Sequence, residues 1–162
     1  MAEVTNDNGC SCSFKDHHIL SYKILEVSMA SAVVRNGWNF GRKVAEVITL
    51  GMSNTFNGGL KDLTHDTVQL SCWCPLHSKY NDFVINFGKK NNPGLQPGKY
   101  KDYIKVTSSG ELNAGSSGRE TLASKLMDYQ SELQKKAYSL TDYNCSHFSD
   151  DIFEFCKKTV AN

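Results

Sequence analysis

The 162-residue chain lacks several features that would assign it to a broad class of protein. It has no long apolar run, so no transmembrane helix is predicted. Its net charge is only +1, which gives no electrostatic reason to expect a nucleic-acid partner and leaves only peripheral membrane contact open. Internal repeats, heptads and a glycine-rich phosphate loop are also missing. What remains is a chain long enough for one domain with its own core.

The N-terminus and the cysteines predict the cellular setting. The first nine residues are polar and acidic and do not resemble a secretory signal. Without such a signal, the six cysteines are expected to be thiols rather than disulfides, in a cytoplasmic protein. Residues 1–16 are expected to form a flexible N-terminal lead, and residues 17–162 the folded domain.

The pattern of apolar residues predicts an α+β fold. Segments rich in β-branched and aromatic residues indicate four strands, at 20–27, 64–74, 83–87 and 100–106. Apolar residues recur at helical spacing over 119–137, and a shorter helix is predicted over 41–50. The Ser/Gly-rich segment 107–118 is expected to be flexible. This order is typical of a small single domain with a mostly antiparallel sheet and flanking helices.

The segment 138–148 (Tyr-Ser-Leu-Thr-Asp-Tyr-Asn-Cys-Ser-His-Phe) is the most informative part of the chain. It places Cys145 where a loop meets a helix, because Phe148, Ile152 and Cys156 recur after it at helical spacing. A thiol at a helix N-terminus faces unpaired backbone N–H groups and the positive end of the helix dipole, and both favour the nucleophilic thiolate. Cys156 itself falls on the apolar side and is expected in the core.

This box resembles that of the circularly permuted papain-like (NlpC-type) thiol enzymes. In the lecithin–retinol acyltransferase and phospholipase/acyltransferase group the box reads Asn-Cys-Glu-His-Phe, and in the PPPDE isopeptidase group it is closer to Asn-Cys-Asn-x-Phe-Ser. Here Asn144-Cys145 is followed by His147-Phe148, as in the first group, and by Ser149, as in the second. The resemblance covers about His65 to the C-terminus. It implies a permuted papain-like fold with a catalytic cysteine at a helix N-terminus.

The expected base is His65, which opens the strand 64–70 and precedes Cys145, as the catalytic histidine does in the resembled superfamily. The expected third residue is Asn86, at the place of a histidine in that family's Tyr-Val-Ile-His-Leu strand. The alternative is His77, which follows His65 by twelve positions, as the second histidine of the acyltransferases does. The PPPDE group resembles a plain dyad, so a third residue is not required.

Two neighbours of the cysteine are expected to support it. Asn144 either donates a side-chain hydrogen bond to the oxyanion or holds the turn before the helix. The backbone N–H of Cys145 is the natural first donor to that oxyanion. His147 lies two residues past Cys145 and therefore on another face of the helix, so we expect it to support the loop rather than act as the base.

The resemblance implies a Cys–His hydrolase or acyltransferase that works through a thioester without a cofactor. The expected substrate is a phospholipid-type acyl lipid, and the alternative is a PPPDE-like reaction on a ubiquitin-like protein conjugate. A rival of another class is a catalytically silent binding module on the same fold. No metal site is predicted; the alternative is a zinc site made by two Cys-x-Cys pairs: Cys10, Cys12, Cys72 and Cys74.

Overall fold

The computed structural model describes residues 4–28, 64–87, 94–112, 121–136 and 143–161. The predicted helix at 41–50 lies outside these residues. The strands in chain order are β1 (Val4–Thr5), β2 (His18–Ser28), β3 (Thr64–Cys74), β4 (Lys79–Ile85), β5 (Leu95–Pro97), β6 (Lys99–Tyr100) and β7 (Lys105–Glu111). The helices are a short 3₁₀ turn (Phe14–Asp16), α1 (Leu122–Gln134) and α2 (Cys145–Ala161).

Five strands form one antiparallel sheet in the order β5-β4-β3-β2-β7, with β3 in the centre. β2 and β3 pair along their whole length, and their register sets Val27 opposite His65. The ladder between β3 and β4 stops where Ile85 pairs with Val68. The first residues of β3, including His65, therefore extend past the end of β4.

Side-chain alternation gives the sheet two buried faces. The face that carries α1 and α2 buries apolar side chains from β3 and α2: Val68, Leu70, Cys72, Phe148, Ile152 and Cys156. The opposite face carries a smaller cluster: Leu25, Val27, Val84 and Tyr100. Because His65 pairs with Val27 and Asn86 follows Val84 by two positions, both belong to this second face.

The two α-helices dock through aromatic and aliphatic side chains. α1 buries Leu122, Leu126 and Leu133, which lie at the helical spacing predicted for 119–137. The rings of Tyr129 on α1 and Phe155 on α2 stack with their centroids 4.3 Å apart. Within the described residues, neither helix is both long and apolar enough to cross a bilayer.

Residues 4–16 are not the flexible lead that their polar composition predicts. β1 pairs with β6, and the Phe14 side chain is buried in the core. Asn8 mimics a strand residue, because its Oδ1 accepts the Asp82 N–H at 2.8 Å and its Nδ2 donates to the Asp82 carbonyl at 3.0 Å. Polar side chains that form hydrogen bonds with the backbone of a strand edge hold the segment in place without apolar residues. For this reason its polar composition does not reveal that it is ordered.

The segment 105–111 was predicted mostly as flexible, but it is the edge strand β7, paired with β2. Most of β7 is exposed, so its sequence is polar and hides the strand. An added Cβ at Gly110 would lie 2.5 Å from the ring of Tyr22, so any larger residue there would force that ring to move. The predicted fold class, a small α+β domain with a mostly antiparallel sheet and flanking helices, is confirmed.

Candidate active site

Cys145 is the first residue of α2, and the residues around it form a helix cap. The N–H groups of Ser146 and His147 donate to Asn144 Oδ1 at 2.9 and 3.2 Å. In return, the Asn144 N–H donates to His147 Nδ1 at 3.1 Å. This is a capping box with histidine in the position usually held by Glu or Gln. Of the two roles expected for Asn144, the structure places it in the turn, and His147 supports that turn.

His65 and Asn86 are brought together on the sheet. The buried His65 ring donates its Nε2–H to Asn86 Oδ1 at 2.8 Å, and the Tyr100 hydroxyl donates to the same oxygen at 3.4 Å. A neutral imidazole carries one proton, so a proton on Nε2 leaves Nδ1 with a lone pair. The tautomer needed by a general base acting through Nδ1 is therefore set by Asn86.

Backbone contacts hold Asn86 in place. Its N–H donates to the Gly94 carbonyl at 2.8 Å, and its own carbonyl accepts the side-chain amide of Gln134 at 2.7 Å. Neither Tyr100 nor Gln134 was recognised from the sequence, because no local motif marks either. Both residues reach Asn86 through contacts between segments that are far apart in the sequence.

His77, the alternative third residue, lies at the other end of the sheet. It follows Cys74, the last residue of β3, and His65 is the second residue of the same strand. Nine residue steps of extended chain lead from His65 to Cys74, which is roughly 30 Å. The twelve-residue spacing from His65 to His77 is therefore not a sign of contact, because the strand does not turn back until after Cys74.

The Cys145 thiol lies beside the backbone of His65. Its Sγ accepts the N–H of Asp66 at 3.5 Å, at the end of β3 that extends past β4. Since that nitrogen is one peptide bond from the His65 carbonyl carbon, Sγ lies within about 6 Å of His65 Cα. Among the described residues His65 Nδ1 has no hydrogen-bond partner. An unpaired buried nitrogen of this kind costs about 1–3 kcal/mol, and a catalytic role is one of the reasons such a group is kept.

Burial decides the protonation of both groups. It raises the pKa of the Cys145 thiol to about 12, and the N–H groups of Asp66, Cys145 and Ser146 oppose this rise without cancelling it. Burial also lowers the pKa of His65, offset in part by its bond to Asn86. Burial thus opposes the thiolate that the helix N-terminus favours, and the two pKa shifts favour a thiol and a neutral imidazole in the resting site.

The cluster of possible metal ligands in the structure differs in one member from the alternative set of four cysteines. Cys10, Cys12 and Cys74 do converge, but their fourth neighbour is His77. Cys72 is fully buried among apolar side chains under the helices, and burial raises the pKa of its thiol. Along a strand, Cys72 and Cys74 share a face but lie roughly 7 Å apart, so one can join a cluster that excludes the other.

A cavity of about 470 Å³ lies away from the Cys145 site. Its walls come from the N-terminal segment, from β4 and β5, and from Met127 of α1. None of Cys145, His65 and Asn86 lines it, so it does not serve as a substrate pocket for that thiol.

Comparison with known proteins adds no relative: no protein-family model, curated protein or solved structure matches this chain.

Proposed function

We propose that this chain is a cysteine-nucleophile acyl hydrolase or acyltransferase with a permuted papain-like arrangement of Cys145, His65 and Asn86. One observation carries the proposal: a buried imidazole has its Nε2–H bonded to an asparagine oxygen and its Nδ1 unpaired, and the N–H of the next residue, Asp66, donates to a thiol at a helix N-terminus. An asparagine that orients the base is a recognised variant of the catalytic triad. The resemblance of the Asn144–Phe148 box to the thiol-enzyme superfamily supports the same assignment.

The reaction follows from these roles. The Sγ–H proton passes to His65 Nδ1 as Sγ attacks the acyl carbonyl, and the backbone N–H of Cys145 stabilises the oxyanion. The tetrahedral intermediate collapses, His65 returns the proton to the leaving group, and an acyl thioester remains on Cys145. His65 then deprotonates water, an alcohol or an amine, which attacks the thioester and restores the thiol.

Proton transfer requires Nδ1 and Sγ to come within hydrogen-bonding distance, which the resting site does not show. Catalytic hydrogen bonds are often long without substrate and shorten in the reacting complex. Because both groups are neutral at rest, His65 acts as a general base during attack rather than as the partner of a standing ion pair.

The substrate we propose is a lipid acyl group. Ile104 and Val106 are 51% and 41% exposed, although both are aliphatic. Val106 pairs with Leu25, which sets it on the face that carries His65, two strands away or roughly 10 Å. Ile104 lies two residues before Val106, just outside β7, and its N–H is bonded to the Glu26 carbonyl at 2.7 Å. Apolar side chains displayed beside the site favour an acyl chain over a polar peptide tail.

The test is acyl transfer from phosphatidylcholine vesicles. Two quantities are measured: the fatty acid released and the mass of the intact protein. We expect an acyl adduct on Cys145 and none on Cys145→Ser. His65→Ala should lower kcat/KM by about 10²–10⁴, the usual contribution of a general base. Cys156→Ala, which removes a core thiol, serves as the matched control and should keep the activity.

Two other outcomes would contradict the lipid substrate. Labelling of Cys145 by an electrophilic ubiquitin-like probe, with no reaction on vesicles, would indicate an isopeptidase. Failure of both probes on folded protein would make the domain a catalytically silent binding module.

A further inference from the structure

A cluster of sulfur and nitrogen ligands lies at the end of the sheet opposite to Cys145. The Sγ atoms of Cys10, Cys12 and Cys74 and one ring nitrogen of His77 all lie within 4.8 Å of one another. His77 Nδ1 is 3.1 Å from Cys12 Sγ and 3.8 Å from Cys74 Sγ. In a tetrahedral zinc site with Zn–S near 2.3 Å and Zn–N near 2.0 Å, neighbouring donor atoms lie roughly 3.5–3.8 Å apart.

Two parts of the chain supply the four ligands. Cys74 ends β3 and His77 lies in the turn to β4, so Cys74-Pro75-Leu76-His77 is a Cys-x₂-His pair on a hairpin. Ser78 closes this turn with a positive φ of 53°. Cys10 and Cys12 come from the N-terminal segment, more than sixty positions earlier. The ligands are thus nonlocal, and the docking of that segment on β4 is what joins them.

Asn81 on β4 orients the Cys10 arm. Its Nδ2 donates to Cys10 Sγ at 3.0 Å, and its Oδ1 accepts the Gly9 N–H at 2.8 Å. The same Nδ2 lies 2.9 Å from Nε2 of the fully buried His17, whose Nδ1 is 2.8 Å from the Ser13 carbonyl. Ligands of structural metal sites are held by outer hydrogen bonds of this kind.

Packing and disulfide formation do not account for this arrangement. His77 is exposed and Cys10 and Cys12 are only half-buried, so burial of apolar surface does not explain the cluster. None of the six cysteines, all of which lie in the described residues, forms a disulfide, and a disulfide would use two of the sulfurs and leave the imidazole without a role. A soft divalent cation uses all four groups at once.

We propose that Cys10, Cys12, Cys74 and His77 bind one structural Zn²⁺. Binding replaces three thiol protons, which pass to solvent, and uses the lone pair of His77 Nδ1. Four protein ligands leave no open position, so the ion is structural rather than catalytic. It would link the N-terminal segment to the β3–β4 hairpin, roughly 30 Å along β3 from His65. This inference does not depend on the proposed enzymatic function.

The full chain, purified reduced and without chelator, should contain one zinc per protein by mass spectrometry of the metal. Replacement by Co²⁺ should give the strong visible and thiolate charge-transfer absorption of a tetrahedral site. Cys12→Ser and His77→Ala should lose bound zinc, whereas Cys72→Ala should keep it. Asn81→Ala should weaken zinc affinity by about 10–100-fold, as removal of an outer hydrogen bond does elsewhere.

His77→Cys keeps four ligands and should retain both the stoichiometry and the tetrahedral cobalt spectrum, which separates ligand loss from misfolding. Folded wild-type protein that takes up neither Zn²⁺ nor Co²⁺ at micromolar concentration would overturn the proposal. Full zinc content in both Cys12→Ser and His77→Ala would overturn it as well. Because Cys145→Ser should keep its zinc, failure of the catalytic assignment is distinguishable from failure of this one.

Discussion

The protonation of Cys145 has a measurable consequence for stability that requires no substrate. Burial raises the pKa of this thiol to about 12, whereas a thiol in the unfolded chain has a pKa near 8.5. Above about pH 8.5 the unfolded state therefore releases a proton that the folded state keeps. The folded protein should lose stability with rising pH by up to about 1.4 kcal/mol per pH unit from this group alone.

The perturbation is Cys145→Ala, which removes the titrating group and leaves a side chain that the helix tolerates. Integrating between a pKa of 8.5 and one of about 12 gives a loss of about 2 kcal/mol at pH 10 in the wild type relative to pH 7. The variant should lack this loss. The measurement is urea denaturation of both proteins at several pH values, compared as the difference in the free energy of unfolding, so that other titrating groups cancel.

Cys156→Ala is the matched control, because burial raises the pKa of this core thiol to about 12 as well. It should remove a pH-dependent loss of similar size. If the difference between wild type and Cys145→Ala stays flat while Cys156→Ala behaves as expected, the reasoning about Cys145 is refuted. If the wild type instead gains stability over the variant as pH rises toward 8.5, the thiol is a thiolate at rest, as its helix position alone predicts.

Two further predictions concern the residues around this thiol. Since burial lowers the pKa of His65, the wild type should lose stability as pH falls below about 6.5. His65→Gln should lose less stability over the same pH range. If urea denaturation gives both proteins the same loss at acid pH, the neutral buried imidazole is contradicted. Asn144→Ala should cost about 1 kcal/mol of unfolding free energy, because it removes the helix cap. His147→Gln should cost less, because glutamine can also close a capping box. Equal losses in the two variants would exclude the reciprocal cap.

Local features of the chain were predictable where short-range physics dominates. The start of a helix at Cys145 follows from the apolar spacing after it, and the strand at Thr64–Cys74 from its β-branched and aromatic residues. The α+β class follows from the order of such segments. Edge strand β7 and the docked N-terminal segment were not predictable in this way. β7 is largely exposed and pairs through its backbone, and the N-terminal segment is held by side-chain hydrogen bonds, so neither needs a pattern of apolar residues.

The sequence by itself determined which groups are chemically available: a thiol at a helix N-terminus, a histidine that opens a strand, and two Cys-x-Cys pairs. Only the tertiary structure decided their partners. It set Asn86 rather than His77 against His65, and it placed His77 rather than Cys72 among the three converging cysteines. The reason is that hydrogen bonds and ligand geometry depend on strand register and on where a strand turns. The pKa of Cys145 was likewise decided by burial, which outweighs the helix N–H groups that the sequence predicted correctly.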